Sequence, residues 1–185
     1  MLTSAGVFLI QTLCEFFAGV LLLRYWLQVC RAAGRNPLSQ FAQSLTNFVV
    51  VPARRVIPGL FGTDLSTVLL AWLTLLLELA LTLALRGHLP ESGAGIGLLL
   101  LMALVLLVRL AVYLAIGAIL IMVIISWVNP SSPMAHVINA LTRPMLRPLQ
   151  RVIPPVGMVD LSPLVALVIL QLILLMLGHV LPAFM

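Results

Sequence analysis

The sequence predicts an all-α membrane protein, with four transmembrane helices in two parallel (helix–amphipathic loop–helix) repeats. Three observations carry this expectation. Of 185 residues, 63% are hydrophobic and 8% are charged, with a mean hydropathy of +1.23, which is more apolar surface than a soluble domain of this length can hide. Four apolar runs, at residues 5–29, 65–85, 96–128 and 161–181, each reach the ~20 helical residues that a hydrocarbon core requires. A gap-free shift of 96 positions lays residues 37–66 on 133–162 with eleven of thirty identical. The repeats run about 5–86 and 97–182 within a single membrane domain, 1–185.

The first run has no basic residue before it and no small-residue cleavage site after Arg24. It therefore reads as a membrane helix and not as a removable signal. Cys14 and Cys30 lie in or beside this run without counterparts at offset 96, and their expected role is packing.

A polar segment follows. In the first copy Leu38, Phe41, Ala42, Leu45, Phe48 and Val49 recur at helical spacing, and in the second Met134, Val137, Ile138, Leu141 and Met145 take the matching positions. Both copies keep the stripe although most letters differ, which predicts an amphipathic helix in each. Pro37 and Pro133 suit the first turn, with Asn36 and Ser132 as N-caps. Such helices either lie in the membrane interface or pack on the bundle.

Next come Pro52 to Pro58 and Pro148 to Pro154, where prolines six apart allow at most one or two helical turns. If the chain stays helical through Pro148, Arg143, Arg147 and Arg151 share one face, suited to lipid phosphate or to snorkelling at the membrane edge. Asp64-Leu65-Ser66 and Asp160-Leu161-Ser162-Pro163 precede the second membrane helix of each half. Ser162 then Pro163 reads as N-cap and N1, with Asp160 favourable at the positive helix end. A sharper alternative pairs Arg55 with Asp64 and Arg151 with Asp160, closing each loop as a clasp.

The third run exceeds one perpendicular crossing, so residues 96–100 read as an interfacial lead-in. All ten basic residues are arginine, and seven of them (31, 35, 54, 55, 143, 147 and 151) lie in the two long inter-run segments. The positive-inside rule places both repeat loops in the cytoplasm and both termini outside. Trp26 and Trp127, with Tyr25, mark the inner interface. Arginine gathered at membrane edges explains the net charge of +5 without direct nucleic-acid binding.

Glu15, Glu78 and Arg109 fall well inside apolar runs, where an unpaired ionisable group costs at least ~2.5 kcal/mol. Two readings stay open: a structural Glu–Arg pair between helices, or a proton or ion path. None of the three recurs at offset 96. The three histidines are scattered, and no P-loop, nucleophile elbow or zinc motif is present. No catalytic, cofactor-binding or metal-ligating residue is expected, and the chain is read as non-enzymatic.

Asn129-Pro130-Ser131-Ser132-Pro133, the run from Leu141 through Thr142, Arg143, Pro144, Arg147, Pro148 and Arg151 to Pro154-Pro155, and Asp160-Leu161-Ser162-Pro163 together resemble the YggT (YlmG) family of small integral membrane proteins. The resemblance covers nearly the whole chain. The second copy is close to the family pattern; the first departs from it at Phe48, Gly59 and Thr67. It implies a bacterial inner membrane, and roles proposed for relatives include division or nucleoid organisation, haem attachment to a plastid membrane cytochrome, and osmotic or potassium tolerance. It brings no catalytic residues.

The expected function is a scaffold or assembly factor for membrane-associated complexes, its halves related by a pseudo-twofold axis along the membrane normal. Its expected partners are the bilayer, including anionic headgroups, a membrane protein, and a second copy of itself. The alternative is an ion channel or transporter using Glu15, Glu78 and Arg109. Candidate residues of the repeated motif are Arg55, Asp64, Ser66, Asn129, Thr142, Arg147, Arg151, Asp160 and Ser162.

Overall fold

The computed structural model describes residues 2–32, 34, 36–56, 64–87, 92–129, 131–152 and 160–180. Among these are six helices and no strand: α1 (Leu2–Val29), α2 (Pro37–Val56), α3 (Leu65–Arg86), α4 (Gly93–Val128), α5 (Pro133–Val152) and α6 (Ser162–Val180). Helices α1, α3, α4 and α6 are long and apolar enough to cross a membrane. The chain is thus a multi-pass membrane protein. Helix α4 is continuous over 36 residues, or about 54 Å at 1.5 Å per residue, so residues 96–100 continue into the spanning helix without a break.

The most extensive contact joins α1 to α3; α3 also packs on α4, and α4 on α5 and α6. Ala18, Ala71, Ala103, Ala115 and Ala118 are all buried, and such small residues let membrane helices approach closely where lipid supplies little hydrophobic drive. Ala18, Leu21, Leu22, Ala71, Leu75, Leu107 and, from α2, Val50 form one core. Leu27, Ile138 and Leu141 form a second, which seats α5 against the end of α1. The α3–α4 contact has no counterpart of similar extent between α6 and α1 among the described residues. The two halves therefore meet asymmetrically, along α3 and α4 and where α1 touches α4 and α5.

Helices α2 and α5 occupy the same positions at offset 96. The expected caps form in both: the Ser39 amide donates to Asn36 Oδ1 at 2.7 Å, and the Ala135 amide to Ser132 Oγ at 3.2 Å. The prolines do not divide these segments. Helix α2 runs through Pro52, and α5 through Pro144 and Pro148. All three prolines are exposed, so the carbonyls they leave unpaired lie on the outer side of an interfacial helix, where water and headgroups can solvate them. The turns expected at Pro58 and Pro154 lie outside the described residues.

Candidate functional site

The repeated polar residues converge where α2 and α5 meet the spanning helices. Crossings separate the copies by an even number, so both clusters lie on one membrane face. In the first half Asp64, just before α3, accepts a hydrogen bond from Gln28 Nε2 of α1 at 2.7 Å and an ion pair from Arg54 of α2. One carboxylate thus ties three helices. In the second half Gln150 Nε2 of α5 donates to Asp160 Oδ2 at 2.8 Å, and the Ser162 amide donates to Asp160 Oδ1 at 2.8 Å. Ser162 is the largest influence holding the Asp160 carboxyl below the usual carboxylate range; partial burial opposes it, and Gln150 adds to it.

The clasp exists in both copies, but its donor is Arg54 and Gln150, one position before the expected Arg55 and Arg151. Neighbouring helical residues point about 100° apart, so only one of each pair can face the start of the next span. Arg55 and Arg151 are exposed instead, as are Arg143 and Arg147; the last three share one face of α5, as the unbroken helix requires. Capping at the next helix also differs from expectation. Asp64 takes the N-cap position of α3 without a side-chain cap bond, because its carboxylate is already held by Arg54 and Gln28. Ser162 is the first residue of α6 rather than its N-cap. Ser66 and Ser162 are both fully buried, and Ser66 Oγ, Thr67 Oγ1 and Ser162 Oγ have no hydrogen-bond partner among the described residues.

A second cluster surrounds Thr46. Arg24, only 6% exposed, donates through Nη1 to Thr46 Oγ1 at 2.7 Å and to Asn47 Oδ1 at 2.9 Å. Thr46 Oγ1 in turn donates to the Ala42 carbonyl at 2.6 Å. The matching Thr142 bonds back to the Ile138 carbonyl at 3.0 Å and lies 3.2 Å from Met122 Sδ. Leu120 stands where Arg24 does, so the second copy keeps the threonine without the cation. Sequence reasoning missed Arg24, Gln28, Arg54 and Gln150; the identity of Thr46 with Thr142 was the available signal for the first. Asn129 caps α4, where its Oδ1 accepts from Ser131 Oγ at 3.1 Å.

Within the spans, the expected pairing of Glu15 or Glu78 with Arg109 is not present among the described residues. Arg109 turns to Tyr113 one helical turn on, with Nη2 at 3.3 Å from the hydroxyl and the guanidinium 5.5 Å from the ring centre. Glu78 lies buried at 3% exposure, with Oε2 unpartnered and Glu15 its charged neighbour. Glu15 itself is exposed. No group of three metal-ligating side chains occurs among the described residues.

A family model described as CCB3/YggT matches residues 3–85 and 101–181. Among curated proteins, an uncharacterized protein of Vibrio alginolyticus is 37% identical over 174 residues, 94% of this chain and 93% of its own. An uncharacterized protein of Pseudomonas aeruginosa is also 37% identical, across 93% of this chain and 87% of its own. Uncharacterized protein YggT of Escherichia coli K12 is 32% identical, across 95% and 90%. No solved structure matches.

Proposed function

We propose that this chain, which belongs to the CCB3/YggT family, is a non-enzymatic scaffold or assembly factor of the bacterial inner membrane. It serves membrane-associated complexes such as those of division and nucleoid organisation or of cytochrome maturation. The observation that carries this is the duplicated clasp: Asp64 and Asp160 hold the ends of α2 and α5 against the next span, so the exposed arginines Arg55, Arg143, Arg147 and Arg151 project from a fixed base. With the repeat loops cytoplasmic, that basic face meets anionic headgroups and a membrane partner together, at ~1 kcal/mol per arginine near an anionic surface. A pre-ordered surface loses less conformational entropy on binding than a flexible loop.

The test is crosslinking in cells from a photoreactive residue at position 143 or 147, with the captured proteins identified. A discrete partner lost in Arg147→Glu supports the reading; capture of lipid alone from both positions refutes it.

One observation favours a second reading, an ion channel or transporter for osmotic or potassium tolerance. Glu78 keeps an unpartnered carboxylate oxygen inside the bundle, where an ionisable group ordinarily marks a pathway. Potassium and proton flux into liposomes carrying the purified protein decides between the two.

A further inference from the structure

The two halves share a clasp but not its third strand. In the first half Gln28 reaches from α1 to Asp64, and α1 lies closely along α3. The residue at the matching position of α4 is Ile124, which makes no such bond and is 59% exposed. The cation is missing too, since Gln150 stands where Arg54 does. Among the described residues Asp160 has two neutral donors and an exposed side chain, and no side-chain hydrogen bond reaches it from α4. Between α4, α5 and α6 a cleft of about 710 Å³ opens there, within the ~300–1,000 Å³ of ordinary ligand sites. Its walls are largely apolar, with Leu120, Val123, Leu164 and Leu167 among them, and Asn139, Gln150 and Asp160 are part of its polar lining.

Leucine-lined walls in a chain that spans a bilayer suit an acyl chain better than water. We propose that it is a site for a bilayer phospholipid with a primary-amine headgroup: one acyl chain lies between α4 and α6, and the ammonium meets Asp160. The ammonium supplies the cation that Arg54 supplies to Asp64. The lipid phosphate lies towards Arg143, one turn beyond Asn139 on α5 and exposed. The lowered pKa of Asp160 keeps its carboxylate ionised for this contact. The proposal is independent of whether the protein is a scaffold or a channel.

Trp127 lines the cleft and reports on its contents once Trp26 and Trp72 are replaced by Phe. The protein is reconstituted in vesicles of phosphatidylethanolamine and phosphatidylglycerol at fixed ratio, with brominated chains on one lipid or the other. Trp127 quenching should show a preference for the amine lipid of about two- to fivefold, the range a partly exposed ion pair supplies. Asp160→Asn should bring the two lipids to parity. Gln150→Arg, which gives Asp160 the cation that Arg54 gives Asp64, should lower the preference and keeps the test intact if Asp160→Asn does not fold. Parity in the parent protein, preference for phosphatidylglycerol, or a preference that survives both substitutions overturns the assignment. So does absence of quenching by either lipid, the result expected if a helix of another chain fills the cleft.

Discussion

Gln150 donates to Asp160 from the position in α5 that Arg54 holds in α2, where it pairs with Asp64. The geometry is kept while the chemistry changes from a cation to a neutral amide. Retaining the join under different chemistry argues that its work is mechanical: it fixes the last turn of an interfacial helix to the first turn of the next span. Gln28 adds a third strand only in the first half, so the first half is the tighter of the two.

Arg54 and Arg55 are adjacent yet should behave differently. Arg54→Ala removes the ion pair and should lower stability by about 0.5–1 kcal/mol, the scale of a partly exposed pair. Arg55→Ala should leave stability unchanged but lower activity in an abundance-controlled complementation assay, more than Arg31→Ala does. Denaturation in detergent micelles reads the first effect. Equal stability loss from both substitutions would contradict the one-position register of the clasp.

Stability should fall in acid partly through Asp160. Its folded pKa lies below the unfolded value, so its contribution is fully present above the unfolded pKa of about 3.9. That contribution is lost as pH falls through the folded pKa. Asp160→Asn should therefore narrow the loss of melting temperature between neutral pH and about pH 3. An unchanged acid slope in the variant would refute the assignment.

Much of this was legible in the sequence because membrane burial and helix periodicity act locally. Apolar length marked α1, α3, α4 and α6, the stripe from Leu38 to Val49 marked α2, and Asn36 and Ser132 cap as their residue types suggest. The one or two helical turns that the proline spacing allows are present, since α2 runs past Pro52 to Val56 and α5 past Pro148 to Val152. That they continue the striped helix without a break depends on the prolines being exposed, which spacing alone does not reveal. The clasp donors escaped because Arg54 and Gln150 differ in type, while identity across the repeat drew attention to Arg55 and Arg151. Arg24 escaped because its partner Thr46 is 22 residues away in sequence and only the fold brings the two together.

Arg24→Ala should cost about 2–3 kcal/mol, because its buried hydrogen bonds are charge-assisted and its stem fills space between α1 and α2. Arg24→Lys should recover only part, having one compact ammonium where the guanidinium bridges Thr46 and Asn47. Leu120→Arg should not stabilise the second half, since Arg143 already stands where Asn47 does. Chemical denaturation of the three purified variants checks the order.

Glu78→Gln separates the two readings of function. A buried carboxylate oxygen without a partner, with Glu15 nearby, gains from losing its charge, so stability should hold or rise by up to about 1 kcal/mol. A scaffold then complements normally. A transporter keeps its abundance but loses ion flux, because the group that would carry or bind the ion is gone. Glu78→Lys should lower abundance under both readings.

The proposed orientation makes a prediction independent of any activity. Seven arginines lie in the two long segments that hold α2 and α5, against one, Arg86, at the end of α3 on the opposite side, a bias that retains the long segments in the cytoplasm. Cys14 and Cys30 are free thiols and must first be replaced by serine or alanine. A membrane-impermeant maleimide added to intact spheroplasts should then label Pro90→Cys. It should label Gln40→Cys and His136→Cys, both at exposed positions, only after the membrane is opened. Because an even number of spans separates residues 40 and 136, those two must respond alike whichever way the protein faces. Opposite labelling of the pair would refute the parallel arrangement of the repeats, and shared labelling from outside would invert the topology while leaving the fold intact.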